Sequence, residues 1–297
     1  MRRYAAPLLF LLPATILILL FFVVPVGMTL YLSFTDISTL TFRNPKWVGI
    51  ANYPTLLRDP FIGKILLNTV RYVSLTLLFN VGMGLALALF SSSVRERWAN
   101  QVRAVWLLPR ILPPVVYVLI WHGLTREAPF GLVSDITGIS QNWISGRPWT
   151  VLVLANGLVG ASFGMLIFSS AIKSISQDLF YAAAVDGATT MQTVRRVVLP
   201  MLRWPILFVT AYQTLSLLTS FEYILLLTDG GPGFYTTTVW ALHAYKLALS
   251  NYFGNVQFGL GAAMAAFMVV IGVIVSLIYL RIFNFRELVA EPKVEVN

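Results

Sequence analysis

The chain has no cysteine, few charged residues and only two histidines among its 297 residues. The lack of cysteine excludes disulfide bonds, thiol nucleophiles and thiolate metal ligands. The histidines, His122 and His243, lie far apart with no carboxylate at ligand spacing, which argues against a metal site or a histidine-based catalytic site. No G-x-x-x-x-G-K-S/T motif occurs, so the chain does not hold nucleotide phosphates through such a loop.

The scarcity of charged residues also indicates that lipid, rather than water, surrounds much of this protein. Only 11% of the residues are charged and 58% are hydrophobic, with a mean hydropathy of +0.78. A soluble domain carries about a quarter charged residues, so this chain could not cover a water-facing surface. Its formal charge of +9 is spread without runs of more than two basic residues, which favours helix ends at a membrane surface over nucleic-acid binding.

Long apolar segments predict an all-α transmembrane bundle of six helices, forming a single transmembrane domain over 1–297. A membrane span needs about 20 mainly apolar residues. The N-terminal span resembles a signal peptide but is too long and lacks a small-residue cleavage site, so we expect it to be retained. The predicted spans are residues 7–34, 65–90, 105–124, 149–172, 202–227 and 258–283.

Six spans place both termini on one side of the membrane. Arg95, Arg97 and Arg103 crowd the short loop between the second and third spans, whereas basic residues of the opposite loops are spread over longer segments. Positive charge in short loops marks the cytoplasmic side. The sequence therefore predicts a multi-pass cell-membrane protein with cytoplasmic termini.

The loop 173–203, between the fourth and fifth predicted spans, predicts two short helices joined by a glycine turn. Ser176 or Asp178 can cap the first helix. Gly187 then supplies a residue that easily leaves the helical conformation, and a second helix follows from about Thr190. The small side chains Ala182-Ala183-Ala184 favour close approach of another protein, the alternative being a connector with no partner.

This loop resembles the EAA loop of permease subunits of binding-protein-dependent ABC importers. The signature of that family is E-A-A, three residues, G, nine residues and I-x-L-P. The matching positions are Ala182-Ala183, Gly187 and Leu199-Pro200, with Val197 in the Ile place and Asp186-Gly187-Ala188 similar to the usual D-G-A. Tyr181 departs from the pattern because it stands where the family has Glu.

Further motifs resemble the sugar-permease branch of that family, the maltose and glycerol-phosphate type. They stand in the expected order at the ends of the predicted spans. Arg110 departs from the pattern, since an apolar or aromatic residue is usual there. The similar segments are Trp47-Val48-Gly49-Ile50-Ala51-Asn52-Tyr53, Asn68-Thr69, Leu108-Pro109, Pro113-Pro114 and Leu227-Thr228-Asp229-Gly230-Gly231-Pro232.

The resemblance implies the type I ABC importer fold and a set of partners. Two permease subunits, here expected to be different, form the path, and an extracytoplasmic sugar-binding protein delivers cargo. Two partner ATPases bind the ATP and Mg²⁺, so this chain is expected to hold no cofactor and not to be an enzyme. The expected ATPase-coupling residues are Tyr181, Ala182, Ala183, Asp186, Gly187 and Ala188.

Polar side chains inside spans are costly and should point inward. On the fourth span Asn156, Gly160 and Phe163 share one helical face. On the fifth, one face carries an amide, two hydroxyls and an aromatic ring, namely Gln213, Ser216, Ser220 and Tyr223. These seven are the predicted substrate-binding residues, with Gly160 leaving room for a sugar ring. The alternative is that they only join helices to one another.

Other residues of the fifth span are expected outside the binding face, and other classes of transporter fit the sequence less well. Tyr212 and Thr219 fall on another face, and Glu222 lies near a span end. An ion-coupled secondary transporter would need acidic residues in mid-span, and Glu222 is the only acid within a predicted span. An ABC permease for glycerol phosphate or a compatible solute is the closer alternative. A phosphate would need a cation in the cavity, but Arg71 and Arg110 are expected near membrane interfaces, which favours a sugar.

Overall fold

A computed structural model describes residues 2–250 and 254–283, with side chains from residue 10 onward. Within these ranges the chain is helical, apart from loops and one isolated bridge between Thr35 and Trp47. The α-helices in the described part are α1 (Arg2–Ile18), α2 (Val24–Ser33), α3 (Asn52–Leu57), α4 (Ile62–Ser93), α5 (Glu96–Ile111), α6 (Pro114–Leu124), α7 (Leu132–Thr137), α8 (Trp143–Gly146), α9 (Pro148–Lys173), α10 (Gln177–Val185), α11 (Thr190–Thr193), α12 (Leu199–Met201), α13 (Arg203–Thr219), α14 (Glu222–Thr228), α15 (Trp240–Leu249) and α16 (Phe258–Ile282). Two π-helical turns, Leu19–Val23 and Val194–Val198, and a 3₁₀ turn, Gly49–Ala51, complete the described elements.

Four helical segments in the described ranges are long and apolar enough to cross a membrane, and a fifth is added if the bent pair α5 and α6 is one span. The four are Phe10–Leu32, Ile62–Ser93, Pro148–Lys173 and Phe258–Ile282. They overlap the first, second, fourth and sixth predicted spans. The all-α transmembrane class is confirmed, while the count of six stays a prediction.

The third predicted span is not one straight helix. Helices α5 and α6 meet at an angle of 102°. The break lies at Leu112 and Pro113, whose ψ angles of 140° and 136° are extended. Each of these residues precedes a proline, and the proline ring disfavours the α conformation in the residue before it. Helix α5 also begins at Glu96, ahead of the predicted start at 105.

The fifth predicted span is also interrupted. Helix α13 ends at Thr219, Ser220 is extended with ψ at 124°, and α14 begins at Glu222. The break falls within the predicted polar face, so Ser220 and Tyr223 belong to different structural segments from Gln213 and do not continue one helix.

The chain forms two compact units, one of Met1–Lys64 with Trp240–Ile271 and the other of Ile65–Val239 with Gly272–Asn297. The prediction of a single permease domain stays a prediction. In the first unit the Asn52 amide donates to the carbonyls of Ser33 and Thr35, at 2.8 Å each. The Trp47 ring stacks on Phe34 with centroids 5.3 Å apart. The segment 47–53 therefore fixes the chain after α2.

The second unit is built around α9, which contacts α5, α13 and α14. Helices α4 and α9 approach closely at Gly84, where an added Cβ would meet the backbone of Ala161 and Met165 at 2.9 and 3.0 Å. A core of Ala88, Phe168, Ile172, Ile175, Val198, Leu202 and Val209 lies at one end of these helices. The Asn68 amide donates to the carbonyls of Tyr235 and Thr238, at 2.8 and 3.1 Å, and so joins α4 to the loop after α14.

Candidate functional site

A cavity of about 320 Å³ lies in the second unit, between α5, α9, α13 and α14. All seven predicted substrate-binding residues line it. Four further residues line it that were not predicted. The predicted seven are Asn156, Gly160, Phe163, Gln213, Ser216, Ser220 and Tyr223, and the additional four are Arg110, Val159, Tyr212 and Leu217. The two faces predicted separately on the fourth and fifth spans therefore meet at one place.

The Asn156 side chain is hydrogen-bonded to a tyrosine of α4. Its Nδ2 donates to Tyr72 Oη at 2.5 Å and to Ser220 Oγ at 3.5 Å. Tyr72 is 1% exposed and Asn156 is 7% exposed, so the pair is fixed in place. The amide oxygen Oδ1 of Asn156 receives no hydrogen bond from the described residues. This oxygen is therefore an acceptor that could bond a hydroxyl group.

Gln213 joins three helices. Its Nε2 donates to the carbonyl of Gly160 at 2.8 Å, and its Oε1 accepts from Asn80 Nδ2 at 2.8 Å. Because the Gly160 carbonyl requires a donor, Oε1 must be the atom that faces Asn80. Both amides are buried, Asn80 completely, and they connect α4, α9 and α13.

Gly160 has a different role from the one predicted. The space beside its Cα is filled by the Asn80 amide, which an added Cβ would strike. The prediction that Gly160 leaves space for a sugar ring is therefore wrong, because the Asn80 amide occupies the space beside this glycine. For Gly160 and Gln213 the geometry supports the alternative of helix joining, although both border the cavity.

An aromatic wall closes one side of the cavity. The rings of Phe163 and Tyr212 are stacked, with centroids 4.7 Å apart and planes at 28°. The placement of Tyr212 on another face is thus wrong. On a helix Tyr212 lies only 100° from Gln213, and the cavity is wider than the narrow stripe that the spacing suggested. Tyr223 makes an edge contact with Tyr117, at 5.9 Å between centroids.

Arg110 also lines the cavity, which was not predicted, while its position near a membrane interface stays a prediction. Its Cζ is 5.6 Å from the ring centroid of Phe163. Arg110 occupies the last turn of α5, just before the 102° bend to α6. Arg71, in contrast, lies with its Cζ 4.6 Å from the centroid of Trp149, in the first turn of α9.

Tyr72 and Asn80 of α4, which bond to the cavity residues Asn156 and Gln213, were not predicted from the sequence. A signal for them existed, since Tyr72, Thr76 and Asn80 recur every four residues within the second span. All three are buried, at 1%, 0% and 0% exposure. Polar side chains on one face of an apolar helix indicate a contact with another helix, and here that contact holds the cavity residues.

The loop 173–203 has the predicted form. Ser176 Oγ accepts from the backbone NH of Asp178 at 3.3 Å, and α10 ends at Val185. Gly187 adopts a left-handed conformation, with φ at 72°. Thr189 and Gln192 then form a capping box at the start of α11.

Helix α10 presents an uncovered surface. Tyr181 is 66% exposed and Val185 is 87% exposed. On the opposite side of α10, Phe180 packs against the core at the end of α4 and α9. A cavity of about 690 Å³ separates the rest of this loop from that core, and at its rim Glu96 bonds to Lys173 at 2.8 Å. The six predicted coupling residues, Tyr181, Ala182, Ala183, Asp186, Gly187 and Ala188, are all exposed or half-buried.

A helical membrane chain with a polar internal cavity and an exposed glycine-turn loop has the features of a membrane permease. The chain belongs to the family described as the inner membrane component of binding-protein-dependent transport systems, whose model matches residues 80–287. This places it among the permease subunits of ABC transporters, and the predicted family is confirmed.

Curated relatives match almost the whole chain. It is 27% identical over 290 residues to the sulfoquinovosyl glycerol transport system permease protein of Agrobacterium fabrum, covering 94% of this chain and 90% of the relative. It is 28% identical over 288 residues to the trehalose/maltose transport system permease protein of Thermococcus litoralis, covering 94% of each. A probable ABC transporter permease of Pyrococcus horikoshii is 30% identical over 280 residues, covering 92% of this chain and 94% of the relative.

Among solved structures, the fold is similar to a chain of a bacterial ABC transporter involved in the import of the acidic polysaccharide alginate. The TM-score is 0.80 at 24% identity, and the match covers 95% of this chain and 96% of the other. This likeness shows that the two chains share a fold.

Proposed function

We propose that this chain is a permease subunit of an ATP-driven importer that moves a sugar delivered by an extracytoplasmic binding protein. The observation that carries the proposal is the cavity, where an amide, hydroxyl groups and stacked aromatic rings converge. Amides bond hydroxyl groups as donor and as acceptor, and aromatic faces suit the C–H side of a sugar ring. The names of the curated relatives, which include trehalose/maltose and sulfoquinovosyl glycerol transport, support a sugar.

The coupling to ATP rests on the loop 173–203. Helix α10 is exposed on one side and anchored through Phe180 on the other, as a contact that transmits motion requires. We place Tyr181, Ala182, Ala183, Asp186, Gly187 and Ala188 at a partner ATPase, with Tyr181 making a hydroxyl or apolar contact. ATP and Mg²⁺ belong to that partner, the second permease is a different chain, and both termini of this chain are cytoplasmic.

The function is tested by reconstitution. The chain is co-expressed with a candidate second permease and ATPase, purified as a complex, and placed in liposomes with the binding protein and a panel of sugars. We expect sugar uptake that requires ATP and the binding protein. Uptake driven by an ion gradient without ATP would instead support a secondary transporter.

The cavity residues are tested by alanine variants of Asn156 and Gln213. We expect Asn156→Ala to raise the sugar concentration for half-maximal uptake by about fivefold, since one good hydrogen bond to a ligand is worth about 1 kcal/mol. Uptake by proteoliposomes measures this. If neither variant changes uptake, the proposed binding face is wrong.

Asn80→Ala is the matched control for Gln213→Ala, because the Asn80 side chain is hydrogen-bonded to that of Gln213 but does not line the cavity. Removing either partner leaves a buried amide unpaired, at a cost of about 1–3 kcal/mol in stability. Equal effects of the two variants would limit Gln213 to joining helices. A larger loss of sugar affinity in Gln213→Ala would show contact with the substrate.

A further inference from the structure

Arg110 brings a positive charge into the cavity, whereas Glu222, which precedes the lining residue Tyr223, is exposed and does not line the cavity. No Asp or Glu lines the cavity. Arg110 forms no ion pair with the residues that the structure describes. Its side chain lies against the Phe163 ring and near Tyr223.

An ionisable group inside a membrane protein is costly, and such groups usually face a cavity or pathway with a function. A neutral sugar needs only hydroxyl, amide and aromatic groups, which the cavity already offers through Asn156, Ser216 and the Phe163–Tyr212 stack. The guanidinium of Arg110 adds what those groups lack. Its planar fork of N–H donors matches two oxygens of an acidic group, and its charge strengthens both bonds.

The position of Arg110 suits that task. It lies on α5, whereas Asn156 and Phe163 lie on α9 and Ser216 on α13, so a ligand in the cavity meets the cation on one wall and hydroxyl-binding groups on the others. The Phe163 ring beside the guanidinium supports it by a cation–π contact without neutralising its charge.

We infer that the cavity takes an anionic sugar, one bearing a carboxylate, sulfonate or phosphate, whose acidic group is bound by Arg110. This inference rests on the proposed function as a sugar permease and narrows its substrate class.

The test uses the complete importer in proteoliposomes with its binding protein. The probes are matched pairs of a neutral sugar and its acidic counterpart: a hexose oligomer and the uronic acid oligomer, a hexoside and its 6-sulfonate, and a hexose and its 6-phosphate. The wild type is expected to take up at least one acidic member at least tenfold faster than its neutral partner. The pair that shows the difference identifies which acidic group is bound.

Arg110→Gln removes the charge, and Arg110→Lys keeps the charge but lacks the planar arrangement of N–H donors. Arg71→Gln is the matched control, because Arg71 is another span arginine stacked on an aromatic ring but does not line the cavity. We expect uptake of the acidic sugar to fall at least tenfold in Arg110→Gln, to fall less in Arg110→Lys, and to stay at the wild-type level in Arg71→Gln. Since one binding protein serves all variants, the change belongs to the permease.

The outcomes separate the inference from the function on which it rests. ATP-dependent uptake of neutral sugars alone, or acidic uptake that Arg110→Gln leaves intact, overturns the anionic-sugar inference and leaves a sugar permease. An equal loss in Arg110→Gln and Arg71→Gln assigns Arg110 to stability and also overturns it. Uptake of neither class overturns the proposed function and the inference together.

Discussion

Replacing Gly187 by valine is expected to reduce ATP-driven uptake by tenfold or more and to weaken co-purification of the ATPase. Gly187 has φ at 72°, a left-handed conformation that costs an ordinary residue about 1–2 kcal/mol and a β-branched residue more. The strain is relieved by changing the turn between α10 and α11, which moves the exposed face of α10. Transport assays and pull-down of the tagged ATPase measure the effect.

Gly187→Asn is the control for this variant. Asparagine adds a side chain but tolerates the left-handed region, and nothing lies within 4 Å of a Cβ at this position. We expect this variant to retain most of the uptake. Normal coupling in Gly187→Val would show that α10 is not the contact to the ATPase.

Replacing Gly84 by leucine is expected to destabilise the second unit by at least about 1–3 kcal/mol, the usual cost of overpacking. A Cβ here meets backbone atoms of Ala161 and Met165, which cannot move aside as a flexible side chain would. Helices α4 and α9 must then separate, and the bonds from Tyr72 and Asn80 to the cavity residues are lost. Thermal unfolding in detergent and sugar uptake should both decline.

Gly82→Leu is the matched control, since it lies on the same helix two residues away and a Cβ there has nothing within 4 Å. It should unfold at nearly the wild-type temperature. If the two variants unfold alike, the close contact of α4 and α9 does not set the stability of the protein.

The features predicted correctly from the sequence are those with local causes. The glycine turn at Gly187, the cap at Ser176 and the start of a helix near Thr190 depend on a few neighbouring residues, and the structure has each of them. The break at Leu112 has a local signal as well, in Pro113-Pro114. It was missed because prolines are tolerated within membrane spans, so hydropathy alone suggested one continuous helix.

The cavity was predicted in part because its residues share helical faces. The polar face of α9 and that of α13 were visible in the spacing, but the residues that hold them come from α4, far away in the sequence. The bonds of Asn80 to Gln213 and of Tyr72 to Asn156 are tertiary contacts that no single helix reveals. The position of Arg110 beside the Phe163 ring is likewise a tertiary contact, between α5 and α9.

The hydrogen bonds of the Gln213 side chain also limit how the cavity can change shape. Separating α13 from α4 or α9 would break hydrogen bonds of two buried side-chain amides and a backbone carbonyl. Each buried group left without a partner costs about 1–3 kcal/mol. These three helices therefore form one stiff block that carries its polar wall intact. The softer points are the interruptions of the helices at Leu112–Pro113 and at Ser220, where the backbone is extended, so we expect a change in access to the cavity to be concentrated at these two breaks.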